Sequence, residues 1–348
     1  MEAQHVLVTG GAGFLGVNLL RHLAGKGYAL ASLDLAECTA PDLIEQVTFH
    51  RGDIRDPDAV QQALQGIDLV VHTAAALPRY ATADIYTTEV DGTRTLLQEA
   101  QRQQVQRFIH ISSTAVYGVP DHHPLLETDA LSGVGPYGKA KIQAEQVCLE
   151  FRAQGMILPI LRPKTFVGPE RLGVFALLYQ WAVEGRNFPI LGSGRNRYQL
   201  LDVEDLCIAI LLCLTQPVQA VNETFNIGAK VFKTVREEYQ SVLDCAGFGK
   251  KVVSIPARPA ILGLQLLDRL HLSPLYPWIY ETAARDSFAS IERAEHALGY
   301  APTYSNEQAL LRNFEWYRSQ REPSAMQAGI THRVPWKQGV LGLLKAFF

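Results

Sequence analysis

Thr9-Gly10-Gly11-Ala12-Gly13-Phe14-Leu15-Gly16 lies between a short β-rich run, His5 to Thr9, and a helical run, Leu15 to Gly25. Gly10, Gly13 and Gly16 stand in GxxGxxG spacing at this strand-to-helix junction. A dinucleotide pyrophosphate needs a tight turn there, a backbone bare enough to approach closely, and free N–H groups at a helix N-terminus; glycines so spaced meet all three needs. In the helix, Leu19, Leu20 and Leu23 form an apolar stripe that can lie on a sheet, with Arg21 and His22 pointing away.

Outward from this junction the pattern repeats. Ala29 to Asp34, Leu69 to Thr73 and Phe108 to Ser112 read as strands; Asp58 to Leu64 and Thr93 to Gln101 read as helices. The alternation predicts βαβ units and a doubly wound parallel sheet of Rossmann type, with near-continuous apolar strands covered on both faces. Further strands are expected over Leu158 to Leu161, closing with Arg162 and Pro163, and over Thr224 to Ile227. Leu206 to Leu214 reads as an apolar helix. After Pro163 the pattern becomes loop-helix-loop, with turn signals at Gly168-Pro169, Gly192-Ser193-Gly194 and Pro256 to Pro259. The expected organisation is a dinucleotide-binding domain over 1–165, to which 198–227 returns, and a smaller non-contiguous substrate lobe over 166–197 and 228–322. A basic and apolar tail follows over 323–348. The tail carries Arg333, Lys337 and Lys345 and ends in Phe347-Phe348, a composition suited to packing on a subunit or to peripheral membrane contact.

The composition narrows the function. In 348 residues, 32 Lys plus Arg face 35 Asp plus Glu, so no basic field exists to hold nucleic acid. The five cysteines form no CxxC pair and no Cys/His cluster at zinc-ligand spacing, which argues against a disulfide framework or a structural metal and for a cytoplasmic location. Neither a signal peptide nor a membrane-spanning apolar run is read.

Two features carry chemistry. Asp34 ends the second strand, where a carboxylate can accept hydrogen bonds from ribose hydroxyls and repel a 2′-phosphate; Leu35, Ala36 and Glu37 follow it without a basic residue, which favours NAD over NADP. Tyr137-Gly138-Lys139-Ala140-Lys141 places Tyr137 and Lys141 four apart, on one helix face. A phenol is a poor base at neutral pH, and lowering its pKa by about 3 units takes roughly 4 kcal/mol of preferential anion stabilisation. Lys141 and a cationic nicotinamide ring could supply it together. The strand end at Ser112-Ser113-Thr114 brings small hydroxyls to the carboxyl edge of the sheet, where ligands bind in such folds.

Together with Gly52-Asp53-Ile54-Arg55-Asp56, His72-Thr73-Ala74-Ala75, Ser112 to Gly118 and Leu161-Arg162-Pro163, these motifs resemble the extended short-chain dehydrogenase/reductase family, the NAD-dependent epimerase/dehydratase group. The resemblance covers most of residues 3–230. It implies that Asp53 and Ile54 flank the adenine and that Ala74 and Ala75 line the pyrophosphate and ribose. Phe14, Leu15 and Pro163 complete the cofactor site with Tyr137 and Lys141. Tyr137 would be the base, Lys141 its ribose-anchored electrostatic helper and Ser113, three residues before Val116, the donor to the substrate hydroxyl. A homodimer is also implied.

Three positions depart from the family pattern. Glu89 stands where relatives usually carry Asn; Thr165, beside Lys164, replaces an Asn that often contacts a nucleotide diphosphate; and the basic residue expected at Tyr198 appears one place earlier, as Arg197. Thr114, Lys164, Thr165 and Arg197 are the candidate substrate contacts, with Arg171 a further cation nearby. The resemblance implies an NAD-dependent sugar-nucleotide epimerase or dehydratase. The apolar run from Ile261 to Tyr280 keeps open a 3β-hydroxysteroid-type or other hydroxy/keto dehydrogenase, and the tail a non-catalytic NAD-binding scaffold.

Overall fold

The computed structural model describes residues 3–78, 80–269 and 282–320. In its first part, β1 (His5–Thr9), α1 (Phe14–Leu23), β2 (Ala29–Asp34), β3 (Val47–Arg51), α2 (Pro57–Ala63), β4 (Leu69–His72), α3 (Thr82–Tyr86), α4 (Thr93–Arg102), β5 (Arg107–Ile111), α5 (Gly135–Ala153) and β6 (Ile160–Pro163) follow in order. Then come β7 (Thr165–Val167), α6 (Phe175–Val183), β8 (Phe188–Leu191), β9 (Leu200–Asp202), α7 (Val203–Thr215), α8 (Val218–Val221) and β10 (Thr224–Ile227). The described chain closes with α9 (Val235–Ala246), β11 (Val252–Ile255), α10 (Ala257–Arg269), α11 (Glu292–Leu298) and α12 (Asn306–Ser319).

Seven strands form one parallel sheet in the order β3-β2-β1-β4-β5-β6-β10. The strand order reverses between β1 and β4, and it is there, at the carboxyl ends, that an open α/β sheet leaves a crevice for a ligand. Alternate side chains of β1 serve two cores. Val6 and Val8 pack with Leu19, Leu20 and Leu23 of α1 and Leu206 and Ile210 of α7; Leu7 packs on the other face with Leu96, Leu97, Phe108, Val147 and Phe151. Each such side chain, taken fully out of water, contributes about 1.5–3 kcal/mol.

A third core, built on Phe175, Leu178, Tyr179, Val242, Leu243, Leu310 and Phe314, holds α6, α9 and α12 together beside two small parallel ladders, β7 with β9 and β8 with β11. Its helices begin at side-chain caps: Thr234 with Glu237 for α9 and Ser305 with Gln308 for α12 close reciprocal capping boxes. α11 packs Ala294 and Leu298, with Tyr300, onto the core of the large sheet.

Two local expectations are corrected. β6 begins at Ile160 and runs through Arg162 and Pro163, because Lys164 N–H donates to the Ile227 carbonyl at 2.8 Å and carries the ladder past the proline. The segment after Pro163 holds β7, β8 and β9 besides its helix; β7 and β9 have three residues each and β8 carries Pro189, so periodicity does not reveal them. The expectations for the 323–348 tail and for the apolar run from Leu270 to Tyr280 lie outside the described residues. Among the described residues, no helix is long and apolar enough to cross a membrane, and no His, Cys, Asp or Glu group is placed to hold a metal.

Candidate active site

Gly10 adopts φ +72°, and a Cβ built there would lie 2.7 Å from the Ala74 backbone. The loops after β1 and β4 therefore meet only because residue 10 is glycine. A Cβ on Gly16 would likewise collide with the Gly10 carbonyl. Gly13 is the exposed N-cap of α1, with no side chain capping the helix; Phe14 and Leu15 open the helix from buried positions. This bare cradle at a positive helix end fits a pyrophosphate. Asp34 Oδ2 accepts the Ala12 N–H and Oδ1 the Ala36 N–H, both at 2.9 Å, which leaves each oxygen a lone pair for a ribose hydroxyl. Hydrogen bonds from Arg55 hold the Asp53 carboxyl below its usual range, the guanidinium lying 2.6 Å away. Ile54 is buried under Gly92, while Ala74 and Ala75 sit partly exposed and exposed on the loop after β4. Pro163 ends β6, its carbonyl accepting the Thr114 hydroxyl at 3.3 Å.

The end of β5 is braced from below. Ser112 donates to Glu145 at 2.5 Å, Arg162 forks onto both Glu145 oxygens at 2.9 and 2.6 Å, and its other nitrogen donates to the Tyr117 hydroxyl, which donates to Asn226 at 2.7 Å. Ser113 follows in extended conformation; its hydroxyl accepts the Ala115 N–H at 3.1 Å and favours the charged form of Tyr137. Tyr137 and Lys141 lie on α5 as their spacing predicts, with the Lys141 ammonium 5.9 Å from the centre of the Tyr137 ring. Lys141 is buried, donates to the Ile111 carbonyl at 2.9 Å and lies 2.9 Å from the Glu89 carboxylate. Ser113, Tyr137 and Lys141 thus converge at the sheet's carboxyl edge.

Glu89 is the site residue that sequence reasoning flagged as a departure without giving it a role. It sits in a π-helical turn, Thr87–Gly92, with its side chain fully buried, and its Oε1 accepts the Ala76 N–H at 3.0 Å. Burial pushes against the charge of Lys141, but Glu89 and Tyr137 outweigh it and hold the ammonium above its ordinary value. Burial raises Tyr137 too; Lys141 pulls it down, Glu89 pushes it up, and the net direction is upward.

The candidate substrate contacts divide into two groups. Lys164 is buried, donates to Ser287 at 2.7 Å and lies 5.1 Å from the centre of the Tyr198 ring, whose hydroxyl bonds Thr165 at 3.0 Å. Burial without a carboxylate partner pulls Lys164 down to about 7. Arg197 is exposed and stacks its guanidinium on Phe288 at 4.3 Å from the ring centre. It lines a cavity of 460 Å³ with His123, Arg285, Asp286 and Phe288, and its own N–H holds Asp286 at 2.8 Å. Arg171 lies against Phe14 and Phe166, with ring centres 5.3 and 5.2 Å away. Arg285 and His123 carried no sequence signal, since each joins the site through segments remote from its motifs.

The sheet, the glycine cradle and the Ser113, Tyr137 and Lys141 cluster define an NAD-dependent enzyme of the extended short-chain dehydrogenase/reductase type. A model of the NAD dependent epimerase/dehydratase family matches residues 6–228, and the chain belongs to that family. It is 35% identical to the uncharacterized protein y4nG of Sinorhizobium fredii, over 97% of this chain and 85% of that protein. It is 30% identical to the 3 beta-hydroxysteroid dehydrogenase/Delta 5-->4-isomerase of Mycobacterium tuberculosis, over 91% of each. A crystal structure of UDP-glucose 4-epimerase with UDP-glucose from Thermotoga maritima superposes with a TM-score of 0.75 at 26% identity, covering 90% of this chain and 99% of that one.

Proposed function

We propose that the chain is a sugar-nucleotide epimerase that oxidises one secondary alcohol carbon and reduces it again on the opposite face. The observation that carries this reading is the cavity beside Arg197. Two guanidiniums, Arg197 and Arg285, line it with the Asp121 and Asp286 carboxylates, and Phe288, between Arg197 and His123, holds the Arg197 guanidinium in place. A nucleotide diphosphate needs such fixed cationic donors. Lys164 adds a cation that an incoming phosphate would hold charged. Thr114 and Thr165 are the hydroxyls that this reading adds as substrate contacts.

In this reading Ser113 donates to the substrate oxygen, Tyr137 takes the hydroxyl proton as the carbon is oxidised, and Lys141 steadies the phenolate. NAD, held by Gly10, Gly13, Phe14, Leu15, Gly16, Asp34, Asp53, Ile54, Ala74, Ala75 and Pro163, supplies the hydride acceptor. On the return Tyr137 gives the proton back to the carbonyl oxygen. Epimerisation needs no further acid or base. A dehydratase must also expel water, and the turn Ser112-Ser113-Thr114-Ala115 offers hydroxyls and a methyl but no carboxyl. The reading extends to a homodimer in the cytoplasm, checked by sedimentation at twice the 38.5 kDa chain mass.

Incubation with UDP-, GDP- and dTDP-hexoses and -uronic acids should yield one stereoisomer without net NADH, and denatured protein should release near-stoichiometric nucleotide. A second reading, a hydroxysteroid-type dehydrogenase, is favoured by the Mycobacterium relative and by Leu262, 66% exposed on α10. An empty, freely exchanging NAD site with no conversion of any sugar nucleotide would move the assignment there.

A further inference from the structure

Lys141, the cation expected to depress Tyr137, is itself matched by a carboxylate. Glu89 reaches it from another segment at 2.9 Å, with both side chains at 2% exposure or less. The Glu89 backbone carbonyl accepts the Thr93 hydroxyl at 2.6 Å, and Thr93 in turn meets His72 Nε2 at 3.0 Å. Glu89 is thus held at its side chain by the Ala76 N–H and at its carbonyl by Thr93, in a π-turn of the kind that recurs at functional sites. A neutral side chain there would leave the buried ammonium with the Tyr137 phenolate as its nearest anionic partner.

We propose that Glu89 is a positioning residue of the Tyr137 base: its carboxylate compensates the buried Lys141 ammonium, so that Tyr137 keeps its proton until a further positive charge enters the site. With its nucleotide removed the protein then holds the base unarmed, and NAD⁺, whose nicotinamide ring is cationic, would arm it. This rests on reading Tyr137 as the base.

Other titratable groups face the pair from several elements. His72 on β4 and His110 on β5 are both buried, which together with Lys141 holds His72 down at about 3 and His110 well below its ordinary value; both imidazoles are neutral in the working range. Burial pushes the Cys148 thiol of α5 up, so it too is neutral. Arg171, from the segment after β7, adds a weaker positive influence on Tyr137. Burial raises Tyr137 most, and among the charges that face it Lys141 and Glu89 weigh most.

The experiment is an ultraviolet tyrosinate titration without substrate, taking the difference between the wild type and Tyr137→Phe to isolate Tyr137. Without cofactor, the wild-type midpoint should lie at or above the ordinary phenol value; it should fall on adding NAD⁺ and not on adding NADH. In Glu89→Gln, the same difference against Glu89→Gln/Tyr137→Phe should show the cofactor-free midpoint lowered by about one pH unit or more, as expected for a cation no longer compensated. Ile111 still accepts an ammonium proton there, and because the Gln carbonyl can serve Lys141 or the Ala76 N–H but not both, urea unfolding of the variant is measured alongside to show that it folds. An unmoved or raised midpoint in Glu89→Gln overturns the proposal. So does a cofactor-free wild-type midpoint well below the ordinary phenol value, a result that needs no variant of Glu89 to fold. Full turnover in Tyr137→Phe would instead end the assignment of the base, a separate failure.

Discussion

Two lysines of this protein are buried to nearly the same degree, Lys141 at 2% and Lys164 at 3% exposure, and they are driven in opposite directions. Lys141 has Glu89 at 2.9 Å and is held charged; Lys164 has the Ser287 hydroxyl at 2.7 Å and falls to about 7. Burial is common to both, so it is the partner that decides. A carboxylate offsets the desolvation of an ammonium, while a hydroxyl accepts one hydrogen bond and leaves the charge uncompensated. The first arrangement suits a permanent cation beside the Tyr137 phenol. The second suits a site where an anionic ligand completes the charge.

The sharpest way to break this contrast is Lys141→Met. Turnover should fall by about 10²- to 10⁴-fold, and with Glu89 left buried and unpaired the unfolding free energy should drop by about 3–5 kcal/mol, read by urea denaturation. An unaltered stability would mean that the pair is not the ion pair described. Lys164→Met should act in the other direction. A lysine held near 7 in the fold and at its ordinary 10.5 when unfolded binds fewer protons folded than unfolded between those values. Its contribution to stability therefore rises with pH across that window, by about 1.4 kcal/mol per pH unit, and its cost is fully present below about 7. The methionine variant should be more stable than the wild type below pH 7, with the difference shrinking as pH rises towards 10; parallel stability curves would remove the contrast. The smallest effect is expected at the exposed cation. Arg197→Ala should raise KM for a sugar nucleotide by roughly tenfold, about 1.4 kcal/mol, with kcat little changed and the titration of Tyr137 unmoved.

The legible part of the site is local. Gly10, Gly13 and Gly16 announce a backbone that must turn and approach closely, and Tyr137 and Lys141 announce a shared helix face, because both relations are fixed by spacing along one element. Asp34 is legible for a similar reason, since the end of β2 marks where its carboxylate stands. β3 and the short strands β7, β8 and β9 were not legible. β7 and β9 have three residues each, β8 carries Pro189, and β3 mixes Thr48, His50 and Arg51 with its apolar residues, so none reads as the near-continuous apolar run of a covered strand. The extension of β6 through Pro163 depended on Lys164 N–H finding the Ile227 carbonyl, a partner contributed by a distant strand.

Hydrophobic alternation and glycine spacing were enough for the fold class and the cofactor, because both act within single βα units. Ser113, Tyr137 and Lys141 could be picked out as a set of residue types in the same way. What surrounds them came from the packing of remote segments. Glu89 meets Lys141 through the packing of a π-turn against α5, Ser287 meets Lys164 from the far end of the chain, and Arg197 comes to rest on Phe288. Charge in a protein interior is set by such neighbours at a few ångströms, and which neighbours those are depends on how remote segments pack rather than on their order in the chain.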